Sequence, residues 1–406
     1  MKKFGNSINL DRKSKVVTLT VLLALLCSYP YVFSRFFPIP DLNIIIAIEL
    51  LILAMVNFQI KDKKPLPKTF KFVCAIQILF FVILGVYHLD VFYLMRFALF
   101  VVIAYYSLSV INNSVGIAQF THINNLWITL QAIMGFVGFI LIIIGVLHPI
   151  LEYTSDTYSG LDLFYGITTT NSIAGIIPRI AGFFDEPGAF AQWGIYSLVL
   201  NKLLKGSKKV ELLLIVGLTV TFSLAYFLQL VLYFIAFYCS NIRKIITFGV
   251  SLSIFGVIAY NNIPQDSDLY YLTLRRVETN NGSLETNRDD LAEAAKKEFV
   301  KSPVMGCGYS NIINSSKGEV FDNPYETLAT SGIIGTFALY LPLLVILIKY
   351  RKNGAWQAVL ILTIGYLQRP FHVQYIHYLM MYMLFCLCYY VNKTENPNRT
   401  VQLQLH

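Results

Sequence analysis

Apolar runs, each close to the length of a bilayer-spanning helix, recur along almost the whole chain and leave few ways for it to fold. They fall at 16–34, 42–60, 70–88, 91–111, 126–149, 187–204, 210–224, 226–240, 245–261, 332–349, 355–369 and 373–391. A helix needs about 20 residues to cross the ~30 Å hydrocarbon core. The runs lack the alternation by twos of a membrane β-barrel, so the spans are helices. Composition agrees: 56% of the 406 residues are hydrophobic and 14% are charged, against about 45–50% and about 25% in soluble domains. The expected fold is all-α and polytopic, one integral membrane domain over 1–406 with about 12 transmembrane helices. The adjoining runs 210–224 and 226–240 are too long for one untilted span, and Ser223 between them suits a tight turn.

The net charge of +9 is distributed as membrane topology, which argues against nucleic acid as a partner. Lys and Arg gather before the first run, at 61–71, at 202–209, at Arg243 and Lys244, at 349–352, and at Lys393 and Arg399. The intervening short loops hold Arg35, Arg179 and Arg369. Positive residues stay on the cytoplasmic side, so both termini are expected there, and the segments 149–186 and 262–331 become long outer loops. The inner loop 111–125 carries no Lys or Arg, which weakens the pattern locally. The N-terminus resembles a signal peptide but lacks a small-residue cleavage site, so it reads as a retained first helix. Cys27, Cys74, Cys239, Cys386 and Cys388 lie in apolar runs, and Cys307 stands alone in the second loop. No metal-ligand spacing appears, and neither a metal nor a cofactor is expected.

Three polar segments stand out against this background. In Ile177–Phe190, Arg179 lies near Gly182, and Asp185 and Glu186 precede a Pro-Gly helix start. The two carboxylates suit a helix N-terminus, and Arg179 is placed to pair with one of them. The second segment opens with Thr286 and Asn287 as caps and forms an amphipathic helix over about 288–301. Leu291, Ala295 and Phe299 line its inner face. Arg288 sits at the positive end of that helix, where the dipole disfavours a cation and an anion would gain from both. The third, Asp322-Asn323-Pro324-Tyr325-Glu326, leads into the span at Gly332. A cap accounts for Asp322 or Asn323 but not for Tyr325 and Glu326.

In order and spacing these segments resemble the O-antigen polymerase and O-antigen ligase superfamily of bacterial inner membranes. Arg179, Gly182, Phe184 and Pro187 resemble its "R-x-x-G-x-F-x-x-P" segment. Arg288, Pro303, Gly306 and Gly308 resemble its loop of Arg, helix and "P-x-x-G-x-G". Asn323, Tyr325, Gly332, Ile333 and Gly335 resemble its "H-N-x-Y…G-I-x-G" start of the following helix. The resemblance covers roughly Pro178 to Ile348. Asp322 stands where ligases of the family carry His, which favours polymerase over ligase.

The resemblance implies a GT-C-like bundle and inverting glycosyl transfer on the periplasmic face. Its donor and acceptor would be undecaprenyl-pyrophosphate-linked repeat units within membrane lipid, with a chain-length regulator as a further partner. A pyrophosphate leaving group calls for arginines, whose planar forks bind phosphate oxygens bidentately. Arg179 and Arg288 are the candidates, supported by Arg275 and Arg276. Asp322, Glu326 and Glu186 are the candidate bases, and Asn323 and Tyr325 join Glu326 as substrate-binding candidates. His372, in the outer turn after Arg369, reads as an interfacial residue. The competing class is a lipid-linked sugar transporter or flippase, for which Glu49 and Arg96 would be the intramembrane charges.

Overall fold

The computed structural model describes residues 66–394 apart from 112–113, 155–160, 277–278, 281–282, 285–287, 317–319, 322, 369 and 371. The expected spans 16–34 and 42–60, with Glu49, lie outside the described residues, as does Asp322.

From residue 70 onward each expected run is occupied by a helix. The first part contains α1 (Lys68–His88), a π-helical turn Tyr93–Ala98 leading into α2 (Leu99–Ile111), and α3 (Ser114–Ile143). The middle contains α4 (Pro187–Leu203), α5 (Lys208–Gly217), α6 (Leu224–Tyr238) and α7 (Ile242–Asn262). The loop following α7 carries α8 (Asp268–Leu272), α9 (Arg288–Lys301) and α10 (Tyr309–Ser316). The chain then returns through α11 (Glu326–Lys349), α12 (Ala355–Gln368) and α13 (Tyr375–Thr394). Among the described residues, α1, α3, α7 and α11 are long and apolar enough to cross a membrane.

Local chemistry sets several boundaries. The long run 210–240 breaks where Phe222 turns left-handed (φ 45°) and Ser223 Oγ caps α6 by accepting from Tyr226 N at 3.4 Å. Ser207 and Asn241 cap α5 and α7 in the same way. Helix α3 begins at Ser114, well before the expected 126, so most of the presumed charge-free inner loop is helix. Thr121, Asn124 and Asn125 are buried there, with Asn124 Nδ2 donating to Ser197 Oγ at 2.9 Å. These satisfied polar groups dilute the apolar pattern without breaking the helix.

Helix α13 is the centre of the bundle: Tyr375 to Cys388 are all buried, as suits a helix apolar on every side. Gln77 of α1 donates Nε2 to Ala338 O of α11 at 2.8 Å and accepts from the Tyr382 hydroxyl of α13, binding three helices together. By contrast, α7 has no buried residue.

The expected all-α architecture needs one correction. The first long loop contains an antiparallel three-stranded sheet, β1 (Leu151–Thr154), β2 (Leu161–Phe164) and β3 (Thr169–Thr170), then a hairpin of β4 (Ile173–Ala174) and β5 (Ile177–Pro178). A further two-stranded pair, β6 (Thr279–Asn280) and β7 (Ser283–Leu284), precedes α9. Strands of two to four residues are too short for a period-two signal to emerge from sequence. The two long loops touch where Ile176 N donates to Asp268 Oδ2 at 3.3 Å.

Candidate functional site

Two of the three polar segments interlock at a break in α11. Gly332 lies inside that helix with φ 64° and ψ −169°, a conformation open to glycine, so the helical hydrogen-bond ladder is interrupted. The Pro303–Gly308 loop supplies the missing partners. Cys307 N and Gly308 N donate to Ala329 O and Thr330 O at 2.9 and 3.0 Å, and Ile333 N and Ile334 N donate to Pro303 O and Val304 O at 3.0 and 3.2 Å. A Cβ on Gly332 would lie 2.3 Å from Val304 O, and one on Gly306 would lie 2.4 Å from Thr330 O. The glycines therefore permit a backbone-to-backbone joint. A break of this kind in an apolar helix is tolerated where protein satisfies its backbone groups.

A second set of bonds latches this loop to the start of the π-helical turn. Asp90 accepts from Ser310 Oγ at 2.7 Å and from Ser310 N at 2.8 Å. His88 Nε2 meets Met305 O at 2.9 Å, and the Tyr93 hydroxyl donates to Thr330 O at 2.8 Å. Beside the latch lies a recess of about 560 Å³ whose lining includes His88, Asp90, Phe92, Met95, Arg96 and Ser310. A π-helical turn bearing an arginine at such a recess fits the general association of π-bulges with functional sites.

Asn323 is fully buried in the turn before α11. Its Nδ2 donates to Val320 O at 2.6 Å and to Leu291 O at 3.3 Å, and its Oδ1 accepts from Tyr325 N at 2.8 Å. The side chain thus fixes the turn and ties it to α9. Glu326 follows in the first helical turn, 6% exposed, and Lys296 Nζ of α9 lies 5.0 Å from the Tyr325 ring.

The structure places a residue beside Glu326 that the sequence reading set aside. His372 is 3% exposed, with Nδ1 3.6 Å from Glu326 Oε1. It is buried inside the protein, not at an interface with lipid and water, because the turn before α13 folds inward. Its ring lies 5.3 Å from that of Phe97 and 6.2 Å from that of Tyr309, centroid to centroid. Burial pushes the imidazole down to about 3. At 3.6 Å the contact falls short of a hydrogen bond, so this is a neutral imidazole beside a carboxyl group. Neither ring nitrogen has a hydrogen-bond partner among the described residues. Each such unsatisfied group costs about 1–3 kcal/mol.

The first polar segment is built on a different frame. Arg179 follows β5, its Nε donating to Thr221 O at 3.2 Å, and Ile180 N donates to Val220 O at 2.9 Å. Gly182 has φ 61° and is wedged against Gln131 and the Phe190 ring. Glu186 occupies the N-cap position of α4 with Pro187 behind it, yet its side chain makes no capping bond. Simple capping therefore does not account for Glu186. Arg275 and Arg276 share a short 3-10 turn, and the exposed Arg275 lies 5.1 Å from the Tyr271 ring. Arg288 is the first residue of α9, as expected. Asn323, Tyr325 and Glu326 are thus brought together against α9, while Arg179 and Glu186 belong to the β5–α4 frame.

No protein-family profile matches the chain, and no curated protein or solved structure matches it either. Among the described residues, no group of three or more His, Cys, Asp and Glu side chains is arranged to hold a metal ion. Besides His372, sequence reasoning passed over Asp90, His88 and Tyr93, which hold the loop in place. Asp90 and His88 at the end of an apolar run were the available signal, but nothing in the sequence names their partners.

Proposed function

We propose that the protein is a polymerase of surface polysaccharide that joins lipid-pyrophosphate-linked oligosaccharide units by inverting glycosyl transfer. In this reading about 12 helices span the bacterial inner membrane. Both termini are cytoplasmic, and the long loops form the site on the periplasmic side.

What supports the reading most is the joint between Pro303–Gly308 and the break at Gly332. The two stretches carrying the loop and helix-start resemblance are joined there by four backbone hydrogen bonds, with the buried Glu326 in the first turn of α11. The recess near Arg96 has Leu89, Val91 and Met95 as exposed apolar neighbours. Such a border between apolar rim and polar floor suits a lipid-linked anion. In the transition state, negative charge grows on the departing pyrophosphate oxygen, so cations aimed there raise the rate as well as the affinity. Arg288 and Arg179 are assigned that role, with Arg275 and Arg276 in support. Asp322, Glu326 and Glu186 remain the carboxylates available to the acceptor, and Tyr325 is a platform for a sugar ring.

The test is the surface glycan of a deletion strain complemented with variants. Loss of a polymerase leaves single-repeat caps, loss of a ligase strips glycan from the lipid core, and loss of a flippase stops translocation. Arg288→Ala is expected to give single-repeat caps with normal protein in the membrane. A ladder of normal length from that variant would remove Arg288 from the site.

A further inference from the structure

His372 is the buried group that the reading above leaves without a task. Buried polar atoms are usually hydrogen-bonded, as His88 Nε2 is to Met305 O at 2.9 Å. His372 is 3% exposed, yet both its nitrogens lack partners among the described residues. The aromatic walls of Phe97 and Tyr309 fix the plane of the ring without satisfying it. Such a group is stabilised once a hydroxyl or water arrives.

We propose that His372 is the general base of the transfer, with Glu326 as the positioning residue behind it. The inference rests on the glycosyl-transfer reading and names the base within it. The acceptor hydroxyl would hydrogen-bond to Nε2 while Nδ1–H faces Glu326 Oε1. As the acceptor oxygen bonds to the anomeric carbon, the bond from that carbon to the pyrophosphate oxygen breaks. Its electron pair leaves with the pyrophosphate, and the hydroxyl proton moves to Nε2. A small closure of the 3.6 Å contact makes it a hydrogen bond that orients the ring and stabilises the imidazolium.

The surroundings support the assignment. Burial keeps the imidazole neutral but also weakens it as a base, and an ionised carboxylate closing on Nδ1 is what restores its basicity. Among the described residues, the polar groups near the ring are Glu326 from α11, Tyr309 from α10 and His377 from α13. Both nitrogens of His377 and the hydroxyls of Tyr366 and Tyr378 likewise lack hydrogen-bond partners among the described residues. Tyr309, at the start of α10, meets the ring edge-on.

The experiment uses the full chain reconstituted in lipid vesicles with a polyprenyl-pyrophosphate-linked oligosaccharide, and rates are taken per folded molecule. His372→Gln is expected to lower kcat about 100-fold or more while KM stays within about twofold. His372→Ala is expected to regain part of its rate with added imidazole, to which the parent protein is indifferent. A His372→Gln enzyme within about threefold of the parent kcat overturns the assignment. So does a rise in KM alone, or a His372→Ala enzyme deaf to imidazole. A parent protein that makes no polymer at all defeats the glycosyl-transfer reading itself.

Discussion

Two buried carboxylates, Glu211 and Glu326, show how differently this fold uses the same group. They are 7% and 6% exposed, respectively. Glu211, in the first turn of α5 beyond the far end of α4, accepts hydrogen bonds from the hydroxyls of Tyr233, at 2.6 Å, and Tyr238, with Lys202 Nζ 3.5 Å away. Donors of three kinds of position converge on it, and the cluster pins α4, α5 and α6. Glu326 instead faces an imidazole whose two nitrogens have no hydrogen bonds among the described residues. Glu211 holds helices together; Glu326 stands beside an imidazole that is held ready for something else. The difference lies in the partners, since depth of burial is nearly equal.

Four predictions can break or sharpen that contrast. The largest effect belongs to Glu326→Gln, expected to reduce polymer formation about 100-fold while the melting temperature of the purified protein barely moves. Glu211→Ala should do the opposite. It leaves two tyrosine hydroxyls and a partly exposed lysine without their partner, costing about 2–3 kcal/mol of stability at unchanged rate per folded molecule. Denaturation in detergent alongside the polymer assay separates the two.

Gly332→Ala tests whether the loop joint maintains the outer region. The strained φ and the clash with Val304 O are expected to cost about 2 kcal/mol and to make the Pro303–Gly308 loop more sensitive to protease. The helices at the Glu211 end should stay protected. The last prediction concerns pH dependence. Because the His372 imidazole is held down at about 3, the unfolded chain binds a proton between roughly pH 6.5 and 3 that the native protein does not. Stability should therefore fall as the pH drops through that window, by at most about 1.4 kcal/mol per unit from this group. His372→Gln should flatten that part of the slope.

These contrasts also show what could be read from the residues alone. The helical positions were legible because apolar runs of membrane length leave a strong composition signal, and α9 was legible because Leu291, Ala295 and Phe299 mark one face. The start of α3 was hidden because Thr121 bonds back to Ile117 O of its own helix and Asn124 finds Ser197 Oγ inside the bundle. Gly306 and Gly332 could be seen as positions of backbone freedom, but only folding shows that they face each other. His372 was hardest to place, since a histidine beside an aromatic-rich turn looks the same in sequence whether it faces headgroups or Glu326. Its role depends on a long-range contact between α11 and the turn before α13, which periodicity does not encode.

The most direct measurement compares Glu326→Gln and Glu211→Gln in one vesicle assay with lipid-pyrophosphate-linked oligosaccharide, counting rate per folded molecule. The account predicts a loss of about 100-fold for Glu326→Gln and a rate within about threefold of the parent for Glu211→Gln. Equal losses from the two, or a fully active Glu326→Gln, would contradict it.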